Sequence, residues 1–262
     1  MSPVVVLTIA GSDSGAGAGI QADLKTFAAL GTYGTSVVTA VTAQNTRAVL
    51  DVHAMPAAVV DGQLDAVLDD FDVAATKVGM LGTEEIAEAV ARRARDGRLP
   101  NLVLDPVLTA STGRRLGLVA AVARLLPYVN VLTPNRAEAA ALLGVAALGP
   151  GEVAAAAAKL AAAGPGAVVV TGGDAAEEGG VTDLLWTNGG ARTLTGPRVE
   201  TTNQHGTGCT FSAAVAARLA LGDEVGGAVG FAKGYVSRAL AGGRDWTVGE
   251  GAGPLDHFGW FA

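Results

Sequence analysis

The chain has 262 residues, half of them hydrophobic, with a single cysteine and a net charge of −7. That is enough apolar material for a full α/β core, and the acidic balance excludes a basic nucleic-acid-binding face, lysine being limited to Lys25, Lys77, Lys159 and Lys233. One cysteine excludes an internal disulfide framework and fits a reducing, cytoplasmic setting, and the absence of about 18 uninterrupted apolar residues speaks against a membrane span.

Met1-Ser2-Pro3-Val4 lacks the basic segment of a signal peptide, and no Pro-rich, Ser-rich or charged linker interrupts the chain, so one domain over 1–262 is expected. Residues 4–10 are a short apolar run closed by Gly11, which predicts a buried strand. Residues 20–30 place apolar side chains at helical spacing and stop at Gly31. Strand 36–42, helix 57–68, strand 74–80 and helix 84–95 come after it, then strand 102–105 closed by Pro106. Helix 118–126, strand 129–132, helix 137–143, an alanine-rich helix 153–163 and strand 167–171 come next. A hairpin of 181–186 and 191–194 is expected around Asn188-Gly189-Gly190, and helices 210–221 and 224–240 precede an irregular tail. This alternation predicts a mainly parallel central sheet with helices on both faces. Ligands in such folds collect beyond the carboxyl ends of the strands. Polar and glycine clusters lie there, after Ala10, Thr42, Asp105, Thr133 and Thr171.

Two glycine clusters bear on phosphate. Gly15-Ala16-Gly17-Ala18-Gly19-Ile20 fits a dinucleotide fingerprint poorly, because no acidic residue closes the next strand, and no Gly-Lys-Ser/Thr P-loop occurs. So many glycines before a helix suggest close backbone approach to a ligand. The second, Gly206-Thr207-Gly208-Cys209-Thr210, turns into a helix whose first N–H groups suit an anion. The same field favours a thiolate, so Cys209 reads either as a base or nucleophile or as an inert buried thiol.

Thr8-Ile9-Ala10-Gly11-Ser12-Asp13, Gly19 through Thr26, Thr42-Ala43-Gln44-Asn45-Thr46, Lys77-Val78-Gly79-Met80-Leu81, Asp105-Pro106-Val107, Thr133-Pro134-Asn135-Arg136-Ala137-Glu138 and His205 through Thr210 occur in that order. In this series the chain resembles the bacterial hydroxymethylpyrimidine/phosphomethylpyrimidine kinases of thiamin synthesis, from about Val5 to the second C-terminal helix. The resemblance implies a ribokinase-like three-layer sandwich, a homodimer, and ATP with Mg²⁺ as cofactors. It implies that Gly206, Thr207 and Gly208 form an anion hole for the transferring phosphoryl group and that Cys209 is the base. Asn135 and Glu138 would organise Mg²⁺ through water beside ATP, with Asp105 and Thr171 near the phosphates and Asp105 assisting the metal. Read alone, Asn135 is an ordinary helix cap and Asp105 a cap for the Pro106 turn.

Gln44 and Asp23 look like the pair that recognises the pyrimidine, since a glutamine amide matches an amino group beside a ring nitrogen. Ala18, Met80 and Val107 would be apolar walls, and Lys233 would reach the phosphates. His205 is expected to orient the turn. The sequence departs from its relatives at Ala16 in place of glycine, Thr171 in place of lysine and Gln204 in place of threonine. Two other readings stay open: a pyridoxal/pyridoxine kinase, and a non-catalytic pyrimidine-binding protein on the same scaffold.

Overall fold

The computed structural model describes residues 2–109, 117–173 and 180–259. The chain runs β1 (Val5–Asp13), α1 (Gly19–Ala29), β2 (Tyr33–Gln44), β3 (Val49–Ala54), α2 (Ala57–Leu68), β4 (Val73–Val78), α3 (Glu84–Arg95), β5 (Val103–Leu104), α4 (Val119–Ala123) and β6 (Val131–Leu132). It continues with α5 (Arg136–Leu142), α6 (Val153–Ala161), β7 (Ala167–Val170), β8 (Val181–Thr187), β9 (Gly190–Gly196), α7 (Thr207–Ala220) and α8 (Val225–Gly242). Among the described residues the strands form one sheet in the order β3-β2-β1-β4-β5-β6-β7-β8-β9. The centre is parallel; β3, β8 and β9 pair antiparallel at the two edges.

Side chains alternate across a strand, so consecutive apolar residues feed two different cores. Leu7, Ile9, Leu104, Leu132 and Val168 pack with α2, α3 and α6 residues such as Leu64, Ile86 and Leu160. Val6, Val103, Val131 and Val169 pack on the other face with Phe27 of α1, Val215 of α7 and Val229 of α8. Helices thus cover both faces, as the alternation predicts. Expected helix 118–126 is α4 over Val119–Ala123 with a separate 3₁₀ turn at Leu126–Tyr128, expected strand 36–42 is the longer β2, and two further elements differ from expectation. β1 continues past Ala10 to Asp13 through a register shift between Ala10 and Ser12, which carries the polar end of the strand over the cleft. β3 has no counterpart among the expected strands; it reads Val49-Leu50-Asp51-Val52-His53-Ala54, and only Val49 is buried, so it lacks the apolar signal of an inner strand.

The chain leaves β1 towards β2 on one side and reaches β4 on the other, so the topology reverses between them. A cleft belongs at that point, beyond the carboxyl ends of the strands.

Candidate active site

A cleft of about 390 Å³ opens there, lined from the ends of β1, β2, β4, β5, β6 and β7 and by the start of α7. That volume suits a small organic ligand. Of the residues singled out in the sequence, Ala18, Gln44, Met80, Asp105, Val107, Asn135, Glu138, Thr171, Gly206, Thr207, Gly208 and Cys209 all border it.

Asp13 organises one wall. Its carboxylate accepts from the backbone N–H of Gly15 (2.8 Å), Gly17 (3.1 Å) and Ala18 (2.9 Å), and stands 2.9 Å from His205 Nε2. Burial alone would push this carboxyl up; His205 and those N–H groups outweigh it and hold the carboxyl below its usual range. Gly17 and Gly206 are required by proximity: a Cβ on Gly17 would overlap the His205 ring, and one on Gly206, whose φ is 88°, would overlap the Gly17 carbonyl. Ala16 adopts a φ of 60°, a left-handed conformation costing a non-glycine residue roughly 1–2 kcal/mol. Gln44 extends beside His205, with its amide Nε2 3.2 Å from His205 Nε2 and its Oε1 3.2 Å from Thr42 Oγ1.

The floor is a buried charge cluster. Lys77 of β4, fully buried, donates to both oxygens of Asp23 (3.0 and 2.9 Å) and lies 3.8 Å from Asp105 Oδ2. Asp23 also accepts from Thr8 Oγ1 at 2.6 Å. This corrects the placement of Asp23: it is fully buried, does not border the cleft, and serves as counter-ion to Lys77 rather than as a ring contact. Asp105 accepts from Ser212 Oγ (3.1 Å) and from the Cys209 thiol, and it borders the cleft. Burial pushes the Asp105 carboxyl up, against the pull of Lys77.

Cys209 lies in the first turn of α7 and keeps partial exposure to the cleft. Desolvation pushes its thiol up to about 12, Lys77 opposing and Asp105 and Asp23 adding to the rise. The expected low-pKa thiolate is therefore corrected: the field of one helix end is outweighed by burial and two nearby carboxylates. The Gly-x-Gly turn leads into α7 as a helix start: Gly206 precedes it with no side-chain cap, and Gly206, Thr207, Gly208 and Cys209 border the cleft.

Asn135, also on the cleft, caps α5. Its side chain accepts from Glu138 N (2.9 Å) while Glu138 Oε2 accepts from Asn135 N (3.0 Å). Among the described residues no group of three His, Cys, Asp or Glu side chains could hold a metal. A hard cation would fit beside Glu138 only with phosphate and water oxygens completing its shell, which is the usual habit of Mg²⁺. Lys233 is also corrected. Its Nζ binds Asp183 Oδ2 at 2.8 Å, both side chains being about nine-tenths buried, and it does not border the cleft. Asp183 Oδ1 accepts from Gly172 N, so the pair braces the strand end next to Thr171.

Sequence reasoning reaches Ser12 and Asp13 only within a motif, with no role assigned, and misses Ser212 as a structural member of the site. It reaches Lys77 only within a motif, although a lysine inside an apolar strand already demands a buried carboxylate partner.

The family model for phosphomethylpyrimidine kinase matches residues 13–256. The chain belongs to that family. It is 44% identical to the hydroxymethylpyrimidine/phosphomethylpyrimidine kinase of Haemophilus influenzae over 97% of this chain and 96% of the relative. The Escherichia coli enzyme of the same description is 46% identical, with 98% of each chain covered. Among solved structures, the pyridoxal kinase from Staphylococcus aureus in complex with AMP-PCP and pyridoxal superposes with a TM-score of 0.90 and 36% identity, covering 99% of this chain and 95% of that one. The ribokinase-like fold implied by the motifs is thus the fold observed.

Proposed function

We propose that this chain transfers the γ-phosphoryl group of ATP to the hydroxymethyl group of 4-amino-5-hydroxymethyl-2-methylpyrimidine, and then phosphorylates the monophosphate to the diphosphate, in thiamin biosynthesis. The observation that carries the reading is the joining, in one cleft, of an uncapped helix start, Cys209 and the amide of Gln44. Gly206, Thr207 and Gly208 present N–H groups to the charge that develops on the transferring phosphoryl. Gln44 pairs with the amino group and ring nitrogen, and Ala18, Met80 and Val107 enclose the ring. Thr171 borders the nucleotide side, and Glu138 beside Asn135 would hold Mg²⁺ through water; that ion, when bound, neutralises phosphate charge.

Cys209 keeps its own proton at neutral pH, so it takes the substrate proton only by passing one on. The hydroxyl proton moves to Sγ as the thiol proton moves to Asp105, the carboxylate already in contact with it. Asp105 thus belongs with the base, and the reaction leaves one neutral carboxyl in the cluster beside Lys77.

A coupled assay with hydroxymethylpyrimidine, its monophosphate and pyridoxal tests this. Turnover of both pyrimidines, with pyridoxal slower, is expected. Preference for pyridoxal would move the chain to the activity named for the Staphylococcus aureus structure, and binding without turnover would make it a pyrimidine-binding protein. Sedimentation equilibrium tests the homodimer that we include in this reading, and a monomer mass removes it.

A further inference from the structure

The wall formed by Asp13, His205, Gln44 and Thr42 is a hydrogen-bond network whose polarity follows from counting protons. Asp13 receives three backbone N–H groups, so its carboxylate acts as acceptor only. The proton in its 2.9 Å contact with His205 therefore resides on Nε2. At the other end, Thr42 Oγ1 lies 3.0 Å from the Ser12 carbonyl, which can only accept, so the one hydroxyl proton of Thr42 is directed there. The Gln44 amide spans these two groups at 3.2 Å from each, drawn with its Nε2 on the His205 side and its Oε1 on the Thr42 side. One end meets a protonated nitrogen, which has no lone pair to accept an amide N–H, and the other meets a hydroxyl lone pair. Amide oxygen and nitrogen have the same shape, so their partners decide which is which.

We infer that His205 and Thr42 are positioning residues that lock the Gln44 amide with its carbonyl towards His205 and its NH₂ towards Thr42, and so select the ring edge that the cleft accepts. The main chain of Gln44 is anchored, its N–H donating to Ser14 Oγ (2.8 Å) and its carbonyl accepting from the same hydroxyl (2.7 Å). The opposite orientation, with Nε2 towards His205, sets N–H against N–H at one end. It would also leave the carbonyl facing a hydroxyl without a proton to give at the other. The locked amide offers an acceptor on the His205 side and a donor on the Thr42 side. An exocyclic amine beside a bare ring nitrogen answers that pattern; a ring carbonyl beside a ring N–H is its inverse.

This inference rests on the reading that Gln44 faces the pyrimidine, and two measurements keep the two apart. The first is the ratio of kcat/KM for the aminopyrimidine alcohol to that for its 4-oxo counterpart. The wild-type ratio is expected at roughly 10² or more, because a polar site rejects a mispaired ring strongly. Thr42→Val, which keeps the shape and removes the hydroxyl, is expected to narrow the ratio by about tenfold, and Thr42→Ser to restore it. A ratio within about twofold of wild type in folded Thr42→Val overturns the lock. The second is neutron diffraction from perdeuterated, ligand-free protein. Deuterons on the Gln44 atom facing Thr42 support the lock, and deuterons on the atom facing His205 overturn it. Should the wild type phosphorylate neither pyrimidine, the substrate reading fails while the neutron map still decides the amide.

Discussion

Two helix starts border the cleft and are built in opposite ways. α5 closes its own end: Asn135 and Glu138 exchange side-chain and backbone hydrogen bonds, satisfying two of the N–H groups that a helix start leaves over. α7 does not. Its first residue comes after a left-handed Gly206, no side chain caps it, and, its chain neighbours and the helix's own backbone aside, nothing lies within 4 Å of where a Gly208 Cβ would stand. A capped start spends its donors on the fold, and an uncapped one holds them ready for an anion. Changes at α5 should therefore register in stability, and changes at α7 in turnover.

The largest effect is expected at Cys209. The first acceptor is an alcohol, a poor nucleophile until it loses its proton; the second is a phosphate oxygen, mostly ionised because its second pKa is about 6. Cys209→Ala should lower phosphorylation of hydroxymethylpyrimidine by roughly 10²–10⁴-fold and phosphorylation of the monophosphate much less. Steady-state kinetics on both acceptors decide it. An equal loss in both would make Cys209 part of the anion hole, not the proton path.

Gly208→Ala isolates the open N–H groups from the fold. The added methyl meets no neighbour and replaces glycine inside a helix, so stability should hold or rise by roughly 0.4–1 kcal/mol. Turnover should fall roughly 10²-fold, because the methyl occupies space where the phosphoryl group must approach. Normal turnover in this variant would mean that α7 does not bind the phosphoryl group.

The back of the α7 start is held by a buried histidine, and this gives the comparison a pH axis. Thr210 Oγ1 lies 3.0 Å from His257 Nε2. Burial, with the charge of Lys25 adding, lowers His257 to about 4. The unfolded chain, with a histidine near 6.5, binds more protons between about 4 and 6.5. Stability from this group is thus complete above about 6.5 and falls as pH drops towards 4, by about 3 kcal/mol in all. Asp13, held below its usual range, adds loss in the same direction at lower pH. Melting temperatures from pH 4 to 7 should show a slope in the wild type that His257→Gln flattens; an unchanged slope assigns the acid sensitivity elsewhere.

The two starts also show how far the sequence can be read. Both are visible as helix beginnings, because Asn-x-x-Glu and Gly-x-Gly are local signals. The inner strands are visible for the same reason, as short apolar runs. The direction of charged side chains is not legible in this way. Asp23 sits between Ala22 and Thr26 on a buried helix face, and only the packing of α1 on the sheet turns it to Lys77 instead of the ligand. Lys233 lies on α8, and its capture by Asp183 depends on a hairpin fifty residues earlier. The acidity of Cys209 is misread from the sequence because a helix end is a local feature, whereas Asp105 and Asp23 arrive from distant segments.

The smallest effect is expected at α5, and it is the most direct challenge to the contrast. Asn135→Ala removes the acceptor for Glu138 N and keeps the backbone N–H that donates to the Glu138 carboxylate, a loss of about 1 kcal/mol. Thermal or urea unfolding measures it. Turnover at saturating ATP should stay within about threefold of wild type, because the side chain is occupied with the helix and acts on phosphate only through Glu138. If turnover collapses while stability hardly moves, Asn135 touches the nucleotide directly, and the two helix starts share one task in place of the division inferred from their caps.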